Sequence, residues 1–312
     1  MRHLTRRLFG KLFCCCHRKD SPNKFNLEIC FNRIFPIVNF LMRRVLGRFL
    51  YIKVYCILAF VLFVSVAIVI PYESLYKPFW VMIPLCFFAV YIAGNLLFHF
   101  NKACRVGPGS PKKLNMDHHC IWLNQCVGAC NHRYFLQFIG FTALGCGTFV
   151  LAASNTFYYN YWKAFTTNKM FCDSDILAKE LPWFEFICGH GPSTLVSIIF
   201  AAYLLCLIVF VMIGGFFYWN FVLISFGDTY LGINAPTLKG LVNMFFFPCR
   251  NEHFHENWRR FLGLDVGNRT FIRHILLPSS HDASGYFEWT GRVRDDYNKL
   301  CGEKKETPIT IV

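Results

Sequence analysis

The sequence predicts an all-α polytopic membrane protein. It has four transmembrane helices and a polar cytoplasmic loop between the second and third. Three observations predict this. Apolar residues make up 55% of the 312, charged residues only 16%, and there are 36 phenylalanines; a water-facing surface normally carries more charge. The surplus is gathered in four long apolar runs, each near the length that about 30 Å of hydrocarbon requires. Lysine and arginine are distributed unevenly between the segments that join those runs.

Residues 1–53 form a basic segment almost free of acid. “LEICFNRIFPIVNFLM” within it is too polar to span a bilayer and reads as either interfacial or ordinary surface. Cys14, Cys15 and Cys16 lie among basic residues and are candidate acyl acceptors, a chance run of cysteines being the alternative. The first span is expected at 54–70, “VYCILAFVLFVSVAIVI”, without a charge. A tight turn with Pro71, Glu73 and Lys77 follows. The second span is expected at 79–98, with Trp80 as an interfacial anchor and Pro84 inside. The domain organisation is therefore 1–53, the first two spans in 54–100, a polar segment at 101–133, the last two spans in 134–224 and a polar tail at 225–312. Span three runs over 134–155, followed by the aromatic belt “TFYYNYW”. Span four runs over 193–213, with “GGFFYWNF” as a second belt that extends the helix.

The net charge of +14 is no argument for nucleic acid, because the basic residues flank the apolar runs as juxtamembrane charge facing anionic lipid. The N-terminal segment carries 12 Lys and Arg, segment 101–133 carries 5 and the tail 11, against 4 in the two opposite loops. The positive-inside rule then puts both termini and segment 101–133 in the cytoplasm. The 16 cysteines do not form a secreted disulfide framework, so reduced thiols are expected.

The chemistry is concentrated in “MDHHCIWLNQC”, 116–126. A cysteine attacks only as thiolate, so something must take its proton. Asp117-His118-His119-Cys120 offers an imidazole for the proton and a carboxylate to orient the imidazole. The remaining histidine is free to bind a metal with Cys126, since both are zinc ligands. A polar loop with incidental histidines is the alternative. Beside a membrane, such a thiolate meets both lipid-linked acyl groups and membrane-associated thiols, which suits ping-pong acyl transfer.

“MDHHCIWLNQCVGACNHRYF”, 116–135, resembles the core of the DHHC protein S-acyltransferases (palmitoyltransferases). Ile121 stands where that family usually has proline, and Gln125 replaces a second asparagine. “NWRRFLGLD” (257–265) and “LLPSS” (276–280) resemble the C-terminal segment of the branch containing Abl-philin. The resemblance implies that Cys120 takes a long-chain acyl group from palmitoyl-CoA, with His118 as base and Asp117 orienting it. It implies that His119 and Cys126 ligate zinc, and that the acyl chain lies between the spans. It also implies protein substrates with cytoplasmic cysteines and an endomembrane such as endoplasmic reticulum or Golgi. Arg133 and the Lys112–Lys113 pair are candidates for the CoA phosphates, their alternative role being juxtamembrane charge.

Two departures stand out. The family's cysteine-rich zinc segment is mostly missing before the motif, where “NKACRVGPGSPKKLNMDHHC” supplies only Cys104. An improvised site would need Cys104 and Cys130 beside His119 and Cys126. After the fourth span the family's Thr-Thr-x-Glu motif is reduced to Thr229 in “GDTYLG”, a candidate partner of Asp117; Asn257 matches a bracing asparagine of the tail. The expected function is thus S-palmitoyl transfer through a thioester on Cys120. The alternative is a catalytically impaired membrane adaptor that binds partners without turnover.

Overall fold

In hydrocarbon a lone segment must satisfy its own backbone hydrogen bonds, so the four apolar runs fold as helices. The structure, a computed structural model, describes residues 17–18, 21–25, 46–109, 116–163, 192–227, 238–265 and 267–281. The readings for Cys14 to Cys16, residues 27–42, Lys112–Lys113 and Thr229 lie outside the described residues.

Two short strands, β1 (His17–Arg18) and β2 (Ser21–Phe25), pair antiparallel ahead of the spans. Helix α1 (Gly47–Val64) continues through a π-helical stretch, Ser65–Val69, and a last turn, Ile70–Ser74. Helix α2 is Phe79–Arg105. The hairpin β3 (Met116–Cys120) and β4 (Gln125–Gly128) follows, and then α3 (His132–Ala152) and α4 (Pro192–Phe226). These four helices are long and apolar enough to cross a membrane, and the chain is a mostly helical, polytopic membrane protein. Where a loop was expected at the motif, a β-hairpin stands.

The helices outrun the expected spans at most ends. Helix α2 has 27 residues, roughly 40 Å at 1.5 Å per residue, so its last turns project beyond hydrocarbon. Helix α4 passes through Gly214 and Gly215 to Phe226, because aromatic residues continue the apolar run and nothing interrupts the hydrogen-bond ladder. Helix α3 stops at Ala152, three residues short of expectation, and the chain re-enters helical turns at Ser154–Phe157 and Tyr158–Lys163.

Helix α3 is the centre of the bundle and packs against both α2 and α4. In lipid no hydrophobic drive brings helices together, so close approach at small residues does the work. A Cβ at Gly140 would lie 2.9 Å from the Phe217 ring, and one at Gly147 2.9 Å from Phe210. Two apolar clusters result. One, around Phe100, Phe135, Phe138 and Phe261, backs the hairpin; the other, around Ile68, Tyr72, Phe149 and Ala202, fills the opposite end. At that opposite end the expected tight turn stands at residues 75–78, just after the last helical turn of α1, and Glu73 within that helical turn is buried. Its carboxylate accepts from the Thr156 N–H (3.0 Å) and hydroxyl (2.6 Å) and pairs with Lys77 at 2.8 Å.

The tail folds back on the hairpin end of the bundle. After α5 (Leu238–Phe246) and α6 (Phe254–Phe261) come residues 267–281. The Ser225 carbonyl, one of the orphan acceptors at the end of α4, receives Asn251 Nδ2 (2.8 Å) and Asn257 Nδ2 (3.1 Å). Trp258 Nε1 donates to the Ser225 hydroxyl at 3.0 Å.

Candidate active site

Successive side chains of a strand point to opposite faces, and β3 uses that rule to sort its residues. In the β3–β4 ladder His118 pairs with Val127, His119 with Cys126 and Cys120 with Gln125. His118 and Cys120 therefore share the inner face, and their side chains are hydrogen-bonded. His119 stands on the outer face, its Nδ1 3.3 Å from Cys126 Sγ. Asp117 would point away from His118 in a regular strand. The register slips between Met116 and His118, and such a bulge re-aims a side chain. As a result Asp117, 2% exposed, places Oδ2 2.6 Å from His118 Nδ1. The order carboxylate, imidazole, thiol is continuous in space.

The surroundings favour a charged ring between two acceptors. Burial pulls the His118 pKa down, but the hydrogen bonds to Asp117 and Cys120 and their negative charges outweigh it and raise it to about 9. Phe135 and Phe216 meet the ring edge-on, at 5.0 and 5.9 Å, and fix its plane. His132 Nε2 stands 3.9 Å from the same Asp117 oxygen, a second imidazole beside the carboxylate.

The hairpin is staked to the bundle by side-chain amides. Asn131 is fully buried; its Oδ1 accepts the Gly128 N–H at 2.9 Å. Its Nδ2 reaches the carbonyls of Cys126 (3.1 Å), Val106 (3.2 Å) and Ala103 (3.4 Å). Gln125 Nε2 donates to the same Ala103 and Val106 carbonyls, which are orphan acceptors at the end of α2. The turn Ile121–Asn124 closes with Asn124 in the left-handed region, φ 54°, a conformation asparagine tolerates. Gly47 at the start of α1 abuts this turn; a Cβ there would lie 2.0 Å from Asn124 Oδ1.

A cavity of about 570 Å³ lies between the four helices, with Cys120 and Trp122 at one end and Val69, Ile70 and Glu73 at the other. Its wall on α1 runs from Val54 to Glu73, roughly 28 Å along the helix axis. Nearly every lining side chain is apolar.

Zinc in a structural site takes four ligands. His119 and Cys126 meet as such a pair would, but among the described residues no group of three or more His, Cys, Asp or Glu side chains is placed to hold a metal ion. The described residues do not fit a complete zinc site. Arg133 is also not where the sequence suggested. It is buried, and its guanidinium donates to Gln137 Oε1 (3.2 Å) and to the carbonyls of Ser279 (3.3 Å) and His281 (2.6 Å). It holds the tail. Asn131, His132, Phe135 and Gln125 were visible in the motif, but their spatial roles carry no spacing signal; Gly47 and Phe216 lie outside it.

Four helices long and apolar enough to cross a membrane thus present Asp117, His118 and Cys120 at one end of an apolar cavity. Residues 113–234 match the family model of the DHHC palmitoyltransferases. It is 26% identical over 278 residues to palmitoyltransferase ZDHHC16A of Danio rerio, covering 67% of this chain and 69% of the relative. It is 29% identical over 248 residues to palmitoyltransferase ZDHHC16 of Homo sapiens, covering 63% of each. Over 50 residues it is 38% identical to human palmitoyltransferase ZDHHC15, covering 16% of this chain and 14% of the relative. The chain thus spans about two thirds of the length of the ZDHHC16 relatives.

Proposed function

We propose that this chain is a protein-cysteine S-palmitoyltransferase that carries the acyl group on Cys120. The observation that carries the reading is the run from Asp117 through His118 to Cys120, with Cys120 lining the apolar cavity. The Cys120 sulfur attacks the thioester carbonyl of a long-chain acyl-CoA. A new S–C bond forms, the bond to the CoA sulfur breaks, and the Cys120 proton passes through His118 to the departing thiolate. Asp117 keeps the ring oriented and supports its charge. In the second half a protein thiol attacks the acyl-Cys120 carbonyl and its proton returns by the same ring to Cys120. A cavity of about 570 Å³ is in the size range of ligand sites, roughly 300–1,000 Å³, and its apolar wall suits an alkyl chain. The 28 basic residues on the hairpin side of the chain against 4 on the other support a cytoplasmic hairpin and cytoplasmic substrate cysteines. The endoplasmic reticulum or Golgi is the compartment this reading expects.

A second reading is an adaptor of the same descent with impaired turnover. It is favoured by the pair His119–Cys126 standing as two ligands where a structural zinc needs four. One experiment separates the two. Purified protein is incubated with alkyne-tagged palmitoyl-CoA, and wild type is compared with Cys120→Ser before and after hydroxylamine. Transfer through Cys120 predicts a hydroxylamine-labile label that falls at least tenfold in the variant. Equal labelling of both proteins defeats the enzyme reading and leaves the adaptor.

A further inference from the structure

The tail segment Phe271–Leu277 runs beside the membrane-crossing part of α2. Tyr91 donates its hydroxyl to the Leu276 carbonyl at 2.6 Å. Tyr91 lies fourteen residues before the end of α2 at Arg105, roughly 21 Å along the axis. The catalytic hairpin hangs from Ala103 and Val106, so the tail reaches well below it. On α3, Gln137 Nε2 donates to the Ile275 carbonyl at 2.9 Å. The segment itself forms a tight helical turn, Ile272–Leu276, closed by the Leu277 N–H on the Ile272 carbonyl at 3.2 Å.

This accounting has the form that a backbone in hydrocarbon requires, with carbonyls satisfied by protein and not by water. The side chains agree. Ile275 points inward and is buried, while Phe271, Ile272, Leu276 and Leu277 are exposed, Ile272 at 68%. They continue the outward apolar surface of α2, where Val90 is 71% exposed beside Tyr91. The inward side covers polar groups that lipid would otherwise meet: Tyr91, Arg133 and Gln137 all bond to this segment or the residues just after it. Arg273 is the one charge in the turn, and a side chain of its length reaches the headgroup layer from below it.

We propose that Phe271–Leu277 is a re-entrant turn inserted among the acyl chains of the leaflet on the hairpin side, sealing the polar seam between α2 and α3. Its partner is bilayer lipid, and its far end at His281 is tied to the start of α3 beside the active site by Arg133 and by the Tyr134 hydroxyl at 3.3 Å.

The test uses the full chain in phosphatidylcholine–phosphatidylserine vesicles, with the photocrosslinker benzoylphenylalanine placed singly at Ile272, Leu277, Val90 or Glu252. After irradiation, intact-mass and peptide analysis reads phospholipid adducts. Ile272 and Leu277 are expected within about threefold of Val90, and Glu252 at least tenfold lower. Adding Tyr91→Phe to the Ile272 probe should lower its lipid adducts severalfold, since the turn loses its tether. Adduct levels at Ile272 and Leu277 equal to those at Glu252 overturn the proposal. So does a crosslinked dimer at these positions in place of lipid, which would make the turn a contact between copies.

Discussion

Asp117 and His118 are neighbours in sequence, yet only the slip in register lets their side chains meet. The pairing has a pH signature. The His118 pKa is raised from the ordinary value near 6.5 to about 9. Because the folded value is the higher one, the stabilising contact is complete below about pH 6.5 and is lost as pH rises through about 9. Self-acylation of Cys120 should therefore hold its rate to about pH 9 and fall above it, as the ring loses the proton the leaving thiolate needs. In Asp117→Asn the charge that supports the ring is gone. The falling limb is expected to move at least one pH unit lower and the rate at pH 7.5 to drop tenfold or more, read by stopped-time labelling across pH 6–10. The alternating faces of a strand would have assigned His118 to the thiol and His119 to Cys126 from sequence, had a strand been expected there. A loop was expected, because a single five-residue run of polar residues carries no β pattern of its own.

At the scale of the elements, the hairpin depends on two contacts from different helices. The end of α2 offers carbonyls to Asn131 and Gln125, and the start of α1 offers the space that a glycine leaves. Gly47→Ala pushes a methyl group into Asn124 and forces the turn to move; overpacking of this kind costs about 1–3 kcal/mol. The variant is expected to melt several degrees lower and to self-acylate more slowly, with the loss exceeding that of an alanine at Gly94, which has open space around it. The four spans were legible because each is a long apolar run, and a helix is the only open segment that fits lipid. Their ends were less so: Asn101 and Lys102 look like loop residues, yet the end of α2 extends past them. Of the tail's docking only Asn257 was legible, as a bracing residue; the rest rests on side chains meeting carbonyls, such as Asn251 on Ser225, and carbonyls have no letter in a sequence.

Across the whole molecule, four helices are long and apolar enough to cross a membrane, and four crossings would return the chain to the side on which it began. With most of the basic charge on that side, reporter tags at either terminus are expected to be open to cytoplasmic labelling, while a glycosylation acceptor placed between α3 and α4 is modified. Opposite results at the two termini would require an odd number of crossings. The cavity joins both ends of the bundle, from Cys120 to the Glu73–Thr156–Lys77 cluster. Removing one partner of such a pair costs about 3–5 kcal/mol when it leaves a buried charge uncompensated, so Lys77→Ala, which strands the buried Glu73 carboxylate, should lower the thermal midpoint more than Glu73→Ala, which leaves a Lys77 that water can reach.

The amide stakes of Asn131 and Gln125 bear on how the hairpin answers a chelator. A hairpin pinned by hydrogen bonds has little to lose to a chelator, so treatment with phenanthroline should leave self-acylation within about twofold. Asn131→Ala, which strips those stakes at a cost of roughly 2–3 kcal/mol, should abolish it.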